Sequence, residues 1–152
     1  MPDGRCLPAQ QKKRPQLAID ALFSLPYCVA VAIQRRSLVL SDFSQEALRD
    51  PQVLRLAQKV SWRYDKGYNR RLIEPATVEI ALGDGHSYSQ HVDIAYGHPD
   101  NPISDADLVA KFRDCASYSV KPLPAATVDR IIATVSALEG APDVVPLIRL
   151  LG

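Results

Sequence analysis

The first sustained apolar run, Leu25 to Ile33, is preceded by Ser24 and followed by the polar Gln34-Arg35-Arg36. Ser24 offers a capping hydroxyl, and Pro26 falls in the first turn, where its missing N–H costs nothing, so this spacing predicts a helix reaching about Arg35. Its body, Tyr27-Cys28-Val29-Ala30-Val31-Ala32-Ile33, is apolar nearly all round, and such a helix must be covered on more than one side. Upstream, residues 1–15 show no period and are rich in Pro, Gln and Lys, which predicts an irregular lead-in. Downstream, Asp42 to Leu48 reads as a short helix with Ser41 or Asp42 as N-cap, ending near Asp50. Asp50-Pro51 repeats the cap-then-proline signature, and Val53, Leu54, Leu56, Ala57 and Val60 give the next helix its apolar face.

The period then changes. Val60, Trp62 and Tyr64 alternate with polar neighbours as a half-buried strand would, and Gly67 to Arg71 is a polar, basic loop. Thr77 to Leu82 alternates again, Gly83-Asp84-Gly85 supplies residues that tolerate positive φ, and a further alternating run spans Tyr88 to Tyr96. These signals predict a β-hairpin that joins the Trp62 strand in a small antiparallel sheet, one face of which the short helices cover. Gly97-His98-Pro99-Asp100-Asn101-Pro102 is a turn, because its prolines and glycine deny it regular hydrogen bonding. Ser104 and Asp107 then open a helix carried by Leu108, Val109, Phe112 and Cys115 to about Ser117. Two more helices follow, Ala125 to about Glu139 with Gly140 as stop, and Asp143 to Leu151. The fold class expected is α+β: a two-layer arrangement of helices on a small antiparallel sheet, with added C-terminal helices.

Composition narrows the function classes. At 152 residues and a formal net charge of +1, the chain has the size of one compact domain and no basic field for nucleic acid; the run Lys12-Lys13-Arg14 reads as solvated loop. No apolar stretch reaches the ~20 residues needed to cross a bilayer, and the first residues lack a secretory pattern, so a soluble cytoplasmic protein is expected. Cys6, Cys28 and Cys115 are odd in number and widely spaced, as suits reduced thiols better than disulfides or zinc.

Candidate chemistry is sparse. His86, His91 and His98 lack the spacing of a metal set, so no metal is expected; His98, in a constrained turn next to Asp100, is the better functional candidate of the three, with a turn-stabilising role as the favoured alternative. Gly83-Asp84-Gly85 joins strands and opens no helix, so no nucleotide cofactor is implied, and no Gly-x-Ser-x-Gly elbow is present. Tyr27 remains: in the first turn of an apolar helix its hydroxyl needs either a core partner or a ligand.

Two separated segments carry a family likeness. Phe23-Ser24-Leu25-Pro26-Tyr27-Cys28-Val29-Ala30, and Gly97-His98-Pro99-Asp100-Asn101-Pro102 followed by Ser104-Asp105 and Leu108 to Phe112, together resemble the MmgE/PrpD family from about Gln16 to about Ser117. That family includes 2-methylcitrate dehydratase, cis-aconitate decarboxylase and an iminodisuccinate epimerase, which act on small polycarboxylates without an obligatory metal. The resemblance implies a lead-in over 1–15, a small domain over 16–103 and C-terminal helices over 104–152 that pack on a preceding all-helical domain. It implies proton abstraction next to a carboxylate, with most acid and base residues on that helical domain. The family's Ser-x-x-Tyr tyrosine carries over onto Tyr27 as a group reaching the substrate. Two functions are therefore expected: a C-terminal lyase domain inactive alone, or a non-catalytic module that docks a helical partner or dimerises.

Overall fold

A computed structural model describes residues 8–63 and 75–151. The chain divides into two compact units, Met1–Lys66 and Gly67–Gly152.

The first unit is helical: α1 (Ala9–Lys13), α2 (Ala18–Leu22), α3 (Leu25–Arg35) and α4 (Pro51–Lys59), with 3-10 turns at Leu40–Phe43 and Ala47–Arg49. Both cap-then-proline signatures work as the sequence predicts. Ser24 Oγ accepts from the Tyr27 amide at 3.1 Å, and the Asp50 carboxylate accepts from the amides of Gln52 and Val53, so each helix start finds partners for its orphan donors. Helix α3 ends at Arg36, whose amide still donates to the Ala32 carbonyl while its left-handed φ of 57° turns the following chain out of the helix. Helices α3 and α4 pack together around Tyr27, Ala30, Val31, Val53 and Ala57, joined by Ala21 and Leu48 and flanked by Phe43 and Leu56. Each fully buried valine there contributes about 1.5–3 kcal/mol, which makes this pairing the main stabilising contact of the unit. Helix α3 is not covered all round: Leu25 and Ile33 stay exposed, as do Ile19, Leu22 and Phe23 next to it.

Three features differ from the sequence reading. Ala9–Lys13 is a helical turn where an irregular lead-in was expected, tied down by Ser24 Oγ donating to the Lys12 carbonyl and by Lys13 Nζ donating to the Gln58 carbonyl at 2.9 Å. The helix expected from Asp42 to Leu48 is broken into two 3-10 turns. Asp42 is no N-cap for it; its carboxylate is buried, accepting from Arg35 and the Val39 amide, while Ser44 Oγ accepts from the Ala47 amide. Val60–Arg63 forms no strand: Val60 ends α4 by bonding to the Ala57 carbonyl, and an alternating pattern without a ladder partner gains nothing from extension. Tyr64 and the Gly67 to Arg71 loop lie outside the described residues.

The second unit holds strands β1 (Ala76–Ala81) and β2 (Ser87–Val92), then helices α5 (Asp105–Ser117), α6 (Ala125–Ser136) and α7 (Val145–Leu150). The strands pair antiparallel with Ala76 opposite Val92 and Ala81 opposite Ser87, and Gly85 supplies the positive φ, 90°, at the turn. The class is thus α+β, with a small antiparallel sheet. Ser104 caps α5 by accepting from the Asp107 amide at 3.1 Å. Among the described residues of this unit only Val128 and Ile131, both on α6, are buried apolar residues, whereas Val78, Tyr88, Leu108, Val135, Val144, Val145 and Ile148 are exposed. That is more apolar surface than a monomeric domain usually leaves bare.

Candidate functional site

The residue for which the family resemblance implies substrate contact, Tyr27, is set by the local start of α3. Ser24 fixes the first turn, Pro26 is buried beside it, and Tyr27 projects into the α3–α4 core with no exposed surface. The Tyr27 ring lies 6.3 Å from that of Phe43, tilted by 49°, and its hydroxyl donates to the Asp42 carbonyl at 2.6 Å. Burial pushes the phenol up to about 12, against the opposing pull of the Arg35 charge. At neutral pH the hydroxyl is therefore a hydrogen-bond donor already engaged on backbone, and among the described residues that carbonyl is the acceptor it meets.

Beneath Tyr27 lies an ion network that no local pattern in the sequence reveals. Arg35 Nη1 reaches the buried carboxylate of Asp42, and Arg35 Nη2 donates to Asp50 Oδ2 at 3.0 Å. Burial works to raise the Asp50 carboxyl, but the Arg35 hydrogen bond and the Gln52 and Val53 amides outweigh it and hold the group below the usual carboxylate range. The network closes the segment from Val39 to Asp50 over the end of α3, and so holds the Asp42 carbonyl where Tyr27 meets it.

The histidines are not brought together. His86 precedes β2 and pairs with Asp84, His91 on β2 lies between Thr77 Oγ1 at 2.7 Å and Asp93 Oδ1 at 3.0 Å, and His98 accepts from the Asp100 amide at 3.1 Å. Each ring is matched to an acid within two residues of it, and among the described residues no group of three His, Cys, Asp or Glu side chains is placed to hold a metal ion. His98 and Asn101 close the turn over Pro99 and Asp100, with Gly97 at φ 97° and its amide on the Asn101 carbonyl. A hydrogen-bonded group staples the far side of that turn to α5: Tyr96 Oη and Ser104 Oγ both donate to Asp107 Oδ2 at 2.6 Å. The Ser104 and Tyr96 hydroxyls hold the Asp107 carboxyl below its ordinary range.

The thiols differ. Cys28 is half-buried on α3, and burial pushes it up, away from the reactive thiolate; Cys115 is exposed on α5, a helix with no buried residue. Cys6 lies outside the described residues. No helix among the described residues is long and apolar enough to cross a membrane.

Comparison with known proteins extends the likeness carried by the Tyr27 and Gly97–Pro102 segments in both directions. The family model for the MmgE/PrpD C-terminal domain matches residues 5–138. Cis-aconitate decarboxylase of Mus musculus is 30% identical over 141 residues, which cover 90% of this chain and 28% of that protein. The Homo sapiens cis-aconitate decarboxylase is 30% identical over 136 residues, 87% of this chain and 27% of that protein. The chain thus spans a little over a quarter of the length of these relatives, and it belongs to the MmgE/PrpD C-terminal domain family.

Proposed function

We propose that this chain is the C-terminal domain of an MmgE/PrpD-type lyase acting on a small polycarboxylate, and that it becomes catalytic only when a helical domain completes the site. The observation that carries this reading is the family match over residues 5–138 together with the 28% share of a cis-aconitate decarboxylase that the chain represents. Chemistry points the same way. Removing a proton next to a carboxylate needs a positioned base and cationic groups converging on one carbon. Among the described residues the histidines stand apart, each beside its own acid, and Tyr27 faces a backbone carbonyl. For Tyr27 to touch substrate, its hydroxyl exchanges the Asp42 carbonyl for a substrate carboxylate as the second domain docks. The exposed apolar residues of α2, α3, α6 and α7 supply surface for that docking, or for a homodimer, in a cytoplasm that keeps Cys28 and Cys115 reduced.

The test is to co-express the chain with a helical domain of the same family and assay cis-aconitate, 2-methylcitrate and iminodisuccinate. Decarboxylation, dehydration or epimerisation that needs both chains supports the lyase reading. A stable complex inert on every substrate overturns it in favour of a non-catalytic docking module, a reading that the same exposed apolar surface supports.

A further inference from the structure

Going beyond that reading, the geometry points to an accessory dicarboxylate-binding cavity in the first unit, one that holds its anion without converting it. A cavity of about 330 Å³ is lined by Arg14, Gln16, Gln45 and Arg49, with Pro15, Leu48 and Leu54 as its apolar wall. Among the described residues no acidic side chain lines it, and neither arginine has an ion-pair partner. The nearest carboxylates in sequence to Arg49 are already used or point elsewhere: Asp50 accepts from Arg35 and two α4 amides, and Glu46 is not among the lining residues. Asp20 lines a neighbouring cavity that shares Arg14 and Gln16, with no hydrogen bond to Arg14.

Both arginines stand on fixed backbone. Arg14 follows α1, which Lys13 ties to the Gln58 carbonyl and Ser24 ties to the Lys12 carbonyl, and Gln16 Nε2 donates to the Arg14 carbonyl at 3.1 Å. Arg49 ends a 3-10 turn anchored by buried Ala47 and Leu48. Planar guanidinium groups favour carboxylates, which they grip with paired N–H donors, and a lining that combines two of them with apolar residues suits a small dicarboxylate on a short carbon chain. The described lining offers no carboxylate, imidazole, thiol or lysine to act as base, which suits a cavity that binds its anion without converting it.

Calorimetric titration of the full chain at low salt with succinate tests this, with acetate and inorganic phosphate as comparison anions. Succinate is expected to bind at about millimolar level, tighter than acetate or phosphate, and Arg14→Gln or Arg49→Gln each to weaken it about fivefold while thermal stability is unchanged. Arg49→Lys is expected to restore part of the loss. The inference is overturned if succinate binds no better than acetate or phosphate, or if both glutamine variants bind it as the unaltered chain does. Because no helical domain or turnover enters this titration, its outcome is independent of the lyase proposal.

Discussion

Replacing Tyr27 with Phe separates the two roles that the sequence allows this residue. The ring and its packing on Phe43 are kept, and only the hydroxyl that donates to the Asp42 carbonyl at 2.6 Å is lost. That carbonyl belongs to a residue with 1% of its surface exposed, so water cannot easily replace the donor, and the loss of a partner for a buried acceptor costs about 1–3 kcal/mol. For a chain of this size that corresponds to a fall in Tm of roughly 2–4 °C per kcal/mol. Urea unfolding followed by circular dichroism measures the first quantity, and a thermal scan the second. A second readout comes from pH. Because the folded phenol titrates near 12 and the unfolded one near 10.0, the neutral phenol's stabilisation is complete below the unfolded value and is lost as pH rises through the folded one. Tyr27→Phe should therefore be less stable at neutral pH yet lose less further stability between those two values. Unchanged stability, with a tyrosine titration showing no high-pH component in the parent chain, would refute the buried-donor assignment and favour a hydroxyl free for substrate.

Ser24→Ala removes both the α3 cap and the tie to the Lys12 carbonyl; a loss of about 1–2 kcal/mol in urea unfolding is expected, and a change near zero would show that α1 is held by other means. Asp50 has a depressed folded value, so its stabilisation is present above the unfolded carboxylate value and is lost as pH falls through the folded one; Asp50→Asn should flatten the acid limb of a stability-against-pH curve, and an unaltered limb would count against the Arg35 network. At Gly97 an added Cβ meets nothing within 4 Å, so Gly97→Ala tests backbone strain alone. With φ at 97°, destabilisation of about 1–2 kcal/mol and faster exchange of the Asn101 amide are expected, and neither would appear if the turn could relax.

What the sequence made legible is local. Ser24, Asp50 and Ser104 are read correctly as caps because each side chain reaches amides two or three residues on, a distance that a motif can encode. The hairpin is legible for the same reason, through its alternation and its Gly83-Asp84-Gly85 turn. What escaped depends on partners far along the chain. The Asp42 carboxylate looks like a cap until Arg35, seven residues before it, claims it; the Tyr27 hydroxyl finds its acceptor fifteen residues away; and α1 is fixed by Lys13 reaching forty-five residues to Gln58. The strand expected around Trp62 failed on the same ground, since alternation states which face a strand would bury but not whether a ladder exists. For the site, the place of Tyr27 in the first turn of an apolar helix allowed a core partner or a ligand, and the structure encloses its side chain in the core.

The dependence of chemistry on a second domain is tested most directly by proton exchange on the substrate. Purified chain is incubated with 2-methylcitrate and with cis-aconitate in deuterated buffer, and deuterium entering the carbon next to a carboxylate is followed by NMR. No exchange above the buffer rate is expected from this chain alone, with exchange appearing once a helical domain is added. Enzyme-speed exchange catalysed by the isolated chain would contradict it.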